Sequence, residues 1–222
     1  MTWSEIATQL PFLWDGILMT LMLAGVSFIL GAVLGLPLAL ARVSRSRWLS
    51  GVAGGFIAIV MAIPIVILLL WVYYALPLAS GFLISDVAAL VIALTLNQTA
   101  IMAENYRSGL KAIPLGQRDG ALVLGMSRWQ ALRYVVLPQV LRTILPLLAS
   151  SSIVLVKDSS IATFIGTNDL LNATRTAALQ TFRPLELFSI AAVLYFALTY
   201  PIALFAAHLE RRVARRLSLA AR

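Results

Sequence analysis

Few residues in this chain could do chemistry, because polar side chains are scarce inside its long apolar stretches. Lys157-Asp158-Ser159-Ser160 closes one such stretch. An ammonium beside a carboxylate, with two hydroxyls adjacent, could meet both charges of a zwitterion; equally, the two could pair with each other or face water. Asn97-Gln98-Thr99 falls inside a second stretch, where amide side chains either touch a solute or hydrogen-bond between helices. Pro64, near the middle of a third, removes a backbone donor, and so either frees a carbonyl in the apolar layer or kinks a helix. Glu104 and Arg107 are spaced for a local ion pair. Ionisable groups in apolar segments are candidates for a transport path.

The missing motifs narrow the chemistry further. No Gly-x4-Gly-Lys-Ser/Thr cradle for phosphates occurs, and even the dipeptide Gly-Lys is lacking. There is no His-Glu-x-x-His and no Gly-x-Ser-x-Gly. The single histidine, His208, stands near Glu210 at the end of an apolar run. With no cysteine, disulfides and thiolate metal sites do not arise. No catalytic residue, metal site or cofactor is expected in this chain, which leaves a pore, a carrier or a scaffold.

The elements that must position these residues are apolar helices. Hydrophobic residues make up 61% of the 222 and charged ones 12%, with mean hydropathy +0.94. A soluble domain is usually nearer half and a quarter. Charge-free runs extend over 16–41, 48–85, 87–103, 143–156 and 187–207. Crossing a hydrocarbon layer takes roughly 20 apolar residues in a helix. Runs such as Ile65-Val66-Ile67-Leu68-Leu69-Leu70 do not alternate as barrel strands do. The expectation is an all-α integral membrane protein, one transmembrane domain over 1–222, with five spans near 16–41, 51–76, 85–103, 139–156 and 187–207.

In a soluble protein a net charge of +8 would suggest nucleic acid; here it reports topology. Basic clusters occupy alternate loops: Arg42, Arg45 and Arg47; then Arg107 to Arg142; then Arg211 to Arg222. Basic loops stay cytoplasmic. Five spans with the N-terminus outside leave three of the seventeen Lys/Arg outside and fourteen inside. Trp3, Phe12 and Trp14 suit an outer interface, and Met1 to Glu5 lacks the basic start of a cleaved signal, so the first helix reads as an uncleaved anchor. Gly31-x-x-x-Gly35 permits close helix approach.

The segment 111–138 is too polar to span. Leu122, Leu124, Met126, Trp129 and Leu132 interleave with Arg118, Asp119, Arg128 and Arg133, the pattern of short amphipathic helices along the cytoplasmic surface. Gly125 is a natural helix stop and Ser127 a natural N-cap. On pattern alone this is a lipid-facing surface helix or a docking site. Its spacing resembles the cytoplasmic signature of ABC importer permeases, Glu-Ala-Ala-x3-Gly-x9-Ile-x-Leu-Pro. Asp119-Gly120-Ala121, Gly125, Val135, Leu137 and Pro138 occupy those positions, with Asp for Glu, Gly for Ala and Val for Ile. Ala100 to Gly109, Ile113-Pro114, Gly116-Gln117 and Lys157 to Ile161 are similar to the polar amino acid branch, and Val156 to Arg175 to its glutamate/aspartate type. Met61 stands where that branch usually carries arginine, before Ile63-Pro64.

The resemblance implies a type I importer permease in a bacterial inner membrane, moving polar amino acids by alternating access. It implies a second permease subunit, identical or a sister chain, and an ATPase dimer that binds ATP and Mg. An extracytoplasmic amino-acid-binding protein would complete the system. It also implies that the helix ending at Gly125 docks on the ATPase, with Asp119, Gly120, Ala121, Arg118 and Arg128 at the contact. The substrate path would then draw on Asp158, Lys157, Ser159, Ser160, Asn97, Gln98 and Pro64. The competing readings are an ion-coupled carrier, for which Asp158 would be the carboxylate, and a non-transporting scaffold.

Overall fold

The structure is a computed structural model that describes residues 8–220; the side chains of Leu115, Arg118 and 213–220 lie outside the described part, as do Trp3, Glu5 and Arg222. No strand occurs among the described residues. Among the described residues eight helices follow one another: α1 Leu10–Arg42, α2 Arg47–Ala62, α3 Ile65–Ser80, α4 Asp86–Lys111, α5 Leu115–Val123, α6 Arg128–Ile165, α7 Leu170–Thr181 and α8 Pro184–Ala220. Four of them (α1, α4, α6 and α8) are long and apolar enough to cross a membrane alone.

α1 and α4 form the central seam. Small residues recur every fourth position at Ser27, Gly31, Gly35 and Ala39, and all four are buried. A Cβ on Gly31 would lie 2.7 Å from Cγ of Gln98, and one on Gly35 2.6 Å from Cβ of Met102. Only glycine admits so close an approach of backbones. As numbering rises on α1 it rises on α4, so these two helices run in the same direction. The chain must therefore recross between them.

The return is made by α2 and α3, broken at Ile63-Pro64 and bent by 102°. Proline lacks the amide that would continue the ladder, and Ile63 before it is extended at φ −85°, ψ 126°. Ile57 and Val60 of α2 pack with Ala100 and Ala103 of α4; beyond the break, Leu68, Leu69 and Val72 pack with Ala89, Leu90, Ala93 and Leu94. The pair thus climbs along α4 from its last turns to its first. A straight helix over 51–76 does not form, for this reason.

The span expected at 139–156 is part of a longer rod, α6, that begins at Arg128 inside the supposed surface segment. Pro138 does not stop it, because a π turn at Ala131–Val136 widens the helix just upstream. A second π turn, Trp71–Ala75, precedes Pro77 in the same way. In both, the wider turn draws the preceding carbonyls away from the pyrrolidine ring. α6 runs opposite to α4: a Cβ on Gly109 would strike Ile144, and Gln98 lies opposite Ser151. α4 likewise outlasts its expected end at 103, continuing to Lys111, and α8 covers 184–220 rather than 187–207.

Candidate functional site

At the lower end of the bundle, α5 projects between α4 and α6. Its C-terminus is a Schellman closure: Gly125 N–H donates to Leu122 O at 3.0 Å and Met126 N–H to Ala121 O at 3.1 Å, with Gly125 at φ +83°. Ser127 then caps α6. Its Oγ accepts from Gln130 N–H at 3.2 Å, while Gln130 Oε1 accepts from Ser127 N–H at 2.8 Å. Two glycine- and serine-defined joints thus fix α5 to the start of α6.

The residues named from the sequence divide here. Asp119 and Gly120 are exposed, and a Cβ on Gly120 would meet nothing within 4 Å. Ala121 is buried at 5% exposure, facing a groove of ≈570 Å³ with Gly116, Leu124, Met126 and Val135. Its small size therefore serves packing within the chain, whereas that of Gly120 does not. Arg128 is exposed at the start of α6, and the Arg118 side chain lies outside the described residues. Val123 and Leu124, at 86% and 81% exposure, form an apolar tip that no described residue covers.

At the other end, α6 tightens from α to 3-10 geometry at Ser159. Asp158 is half-buried, on the helix face that also carries Val140, Ile144 and Ser151, the face laid against α4. Lys157 is exposed. They form no ion pair with each other; the one between described residues that the structure shows is Glu104–Arg107. Ser159 is fully buried and donates to Val156 O at 2.8 Å, so it holds the turn; Ser160 is half-buried. Ile63, Ile65 and Val66 around the Pro64 break pack against the cluster that holds Leu155, Val156, Ile161 and Ala162. The fold therefore brings the broken helix and the Lys157–Ser160 turn into one neighbourhood. No side chain caps the first turn of α3 there.

The consecutive amides separate. Asn97 is half-buried on the side of α4 away from α1. Gln98, 2% exposed, lies against Gly31 and donates from Nε2 to Ser151 Oγ at 3.4 Å. It ties three helices together and lines no open space.

One buried carboxylate has no counterpart among the residues singled out from the sequence. Asp169, fully buried, caps α7 by accepting from Leu171 N–H at 3.1 Å and Asn172 N–H at 3.0 Å, and it also accepts from the Tyr195 hydroxyl at 3.3 Å. Thr20 Oγ accepts from Leu170 N–H at 3.2 Å. Burial pushes the Asp169 carboxyl up to about 6, against the lowering effect of these donors. The knot clamps α7 to α1 and α8. An Asp directly before an apolar helix start was the available signal.

Residues 27–215 match the family described as binding-protein-dependent transport system inner membrane component. The chain is 35% identical over 212 residues to the glutamine transport system permease protein GlnP of Escherichia coli (strain K12), covering 95% of this chain and 97% of that one. It is 33% identical over 210 residues to the arginine transport system permease protein ArtQ of Bacillus subtilis (strain 168), covering 95% and 96%. Among solved structures it resembles an amino acid ABC transporter crystallised with histidines, at 32% identity, TM-score 0.88, and 96% and 99% coverage. The MetNI methionine ABC transporter, inward facing, shares the fold at 23% identity and TM-score 0.76, with 91% and 96% coverage. Spans, protruding α5 and matching sequence together establish that this chain belongs to the binding-protein-dependent inner membrane components of ABC importers.

Proposed function

We propose that this chain forms the transmembrane path of an ATP-driven importer for polar amino acids. Its relatives are named for arginine, glutamine, and, at 31% identity, glutamate/aspartate. Those side chains differ in charge; what they share is an α-ammonium and an α-carboxylate. That shared group supports an amino acid as substrate, and a half-buried Asp158 beside Lys157 suits it; the polar class is supported by the relatives' names alone. Asp158 takes the ammonium, Lys157 the carboxylate, and Ser160, Asn97 and the uncapped turn after Pro64 supply further polar contacts.

The observation that carries the drive mechanism is the uncovered apolar tip Val123-Leu124 on a helix welded to α6. A separate ATPase subunit, binding ATP and Mg, covers it, with Asp119, Gly120 and Arg128 at the rim. α6 has 38 residues and is about 57 Å long at 1.5 Å per residue. Displacement of α5 when the ATPase dimer closes is thus delivered to the Lys157–Ser160 turn at the far end. ATP acts through its different affinity for the two states. A second permease chain closes the path and an extracytoplasmic binding protein delivers substrate; the N-terminus lies outside and the C-terminus in the cytoplasm, a reading the basic loops support.

The test is reconstitution with the partner ATPase and binding protein in lipid vesicles. ATP-dependent accumulation of a polar amino acid is expected, with hydrolysis stimulated by the loaded binding protein. Accumulation driven by an ion gradient without ATP would refute it.

A further inference from the structure

The bend in the second crossing uncovers one stripe of α4. Positions 90, 93, 97, 101, 104 and 108 recur at three and four residues and share one helix face. At the upper end Leu90 and Ala93 are fully buried with Leu68, Leu69 and Val72 of α3. Below the Pro64 break that cover ends, because α2 packs instead on Ala100 and Ala103. Asn97, Ile101 and Glu104 become half-buried and Ser108 exposed. Glu104 Oε2 accepts from both Nε and Nη2 of Arg107, at 2.8 and 2.5 Å, with the side chains only 25% and 27% exposed. Glu104 Oε1 and Arg107 Nη1 have no partner among the described residues. The pair therefore keeps a spare acceptor on Glu104 and a spare donor on Arg107, in the last two turns of α4 before Lys111.

We propose that Glu104 and Arg107, reached past Asn97, line the inner half of the path and form a second station for the amino acid's ammonium and carboxylate. Ionised side chains within a span do not face lipid; they face a partner or a water-filled cavity. Asn97 and Glu104 are seven residues apart, about 10 Å along the axis, so a zwitterion leaving Asp158 passes one amide before reaching the pair. Glu104 Oε1 accepts from the ammonium and Arg107 Nη1 donates to the carboxylate. This rests on the proposed transport of polar amino acids and adds where the substrate pauses before release.

The absence of cysteine makes the test direct. In the complex with its ATPase and binding protein, Ile101→Cys and Ser108→Cys are treated with a charged, membrane-impermeant methanethiosulfonate from the ATPase side, with modification read on this chain by mass. Ile29→Cys and Val33→Cys, on the outward face of α1 at 63% and 64% exposure, report the lipid-facing rate. Stripe thiols are expected to react at least about tenfold faster, since the thiolate must meet water to react. Loss of one charge-assisted contact in Glu104→Gln lowers the maximal transport rate by about tenfold. Glu104→Gln/Arg107→Gln does not restore it. Stripe thiols as inert as Ile29→Cys, or a double variant that recovers the wild-type rate, would reduce the pair to a structural contact and overturn the proposal. If the unmodified complex accumulates no amino acid under ATP, the broader reading has failed instead.

Discussion

Replacing Gly120 separates folding from coupling, because the structure assigns that glycine no role inside the chain. A Cβ there meets nothing within 4 Å, and the residue lies in the body of α5 with ordinary helical geometry. Leucine is a better helix former than glycine by about 0.7 kcal/mol, so Gly120→Leu should be no less stable than the parent protein. A docked ATPase would meet the new side chain at a close-packed surface. Overfilling such a surface costs about 1–3 kcal/mol, which weakens association about 5- to 150-fold. Gly120→Ala is the graded control, and should behave as the parent does. The assay pairs thermal unfolding of the purified chain with titration of the ATPase onto it, followed by transport in vesicles. If Gly120→Leu binds the ATPase and transports at the parental level, α5 does not dock through this face. If it unfolds early, the account of Gly120 as free of intrachain contacts is wrong.

Three further perturbations follow. Gly35→Ala puts a Cβ 2.6 Å from Met102 Cβ and forces α1 and α4 apart, so unfolding should come about 1–3 kcal/mol sooner; an unchanged thermal midpoint would contradict the seam. Asp158→Asn removes a half-buried charge that makes no ion pair, so stability should hold or rise while transport falls about tenfold or more. Full transport by that variant would remove Asp158 from the path. For Asp169, burial holds the folded carboxyl up at about 6, above the ordinary carboxylate range. The native state therefore takes up a proton before the unfolded one, and this group's contribution to stability increases as pH falls from about 6 toward 4. Asp169→Asn should flatten that slope in thermal midpoints measured between pH 4 and 7; an unaltered slope would assign it to other groups.

Composition and loop charge made the membrane class and number of crossings legible, because lipid leaves a long apolar run few choices. The same reasoning set helix ends too early. The charges after Ala103 suggest that the span ends there, yet α4 runs on to Lys111 with Glu104 and Arg107 paired at i, i+3 along it. Pro138 looked like a boundary, and the π turn that lets a helix run through it leaves no mark in hydropathy. Pro64 was readable as a break, but the 102° angle depends on which helices the two halves meet. Among candidate site residues, adjacency in sequence was the weak guide. Gln98 and Asn97 differ by about 100° around a helix, which sends one into the seam and leaves the other half-open. Ser159 and Ser160 part for the same reason.

A seam as tight as that between Gly31, Gly35 and their neighbours has a mechanical corollary. Two rods locked at backbone distance cannot slide past one another without collision, so α1 and α4 travel as one block. Whatever deformation an import cycle requires must then be absorbed elsewhere, at the proline gap between α2 and α3, where no ladder hydrogen bonds are stretched. Stiffening that point, rather than altering any residue that touches cargo, would stall the machine with its cargo still bound.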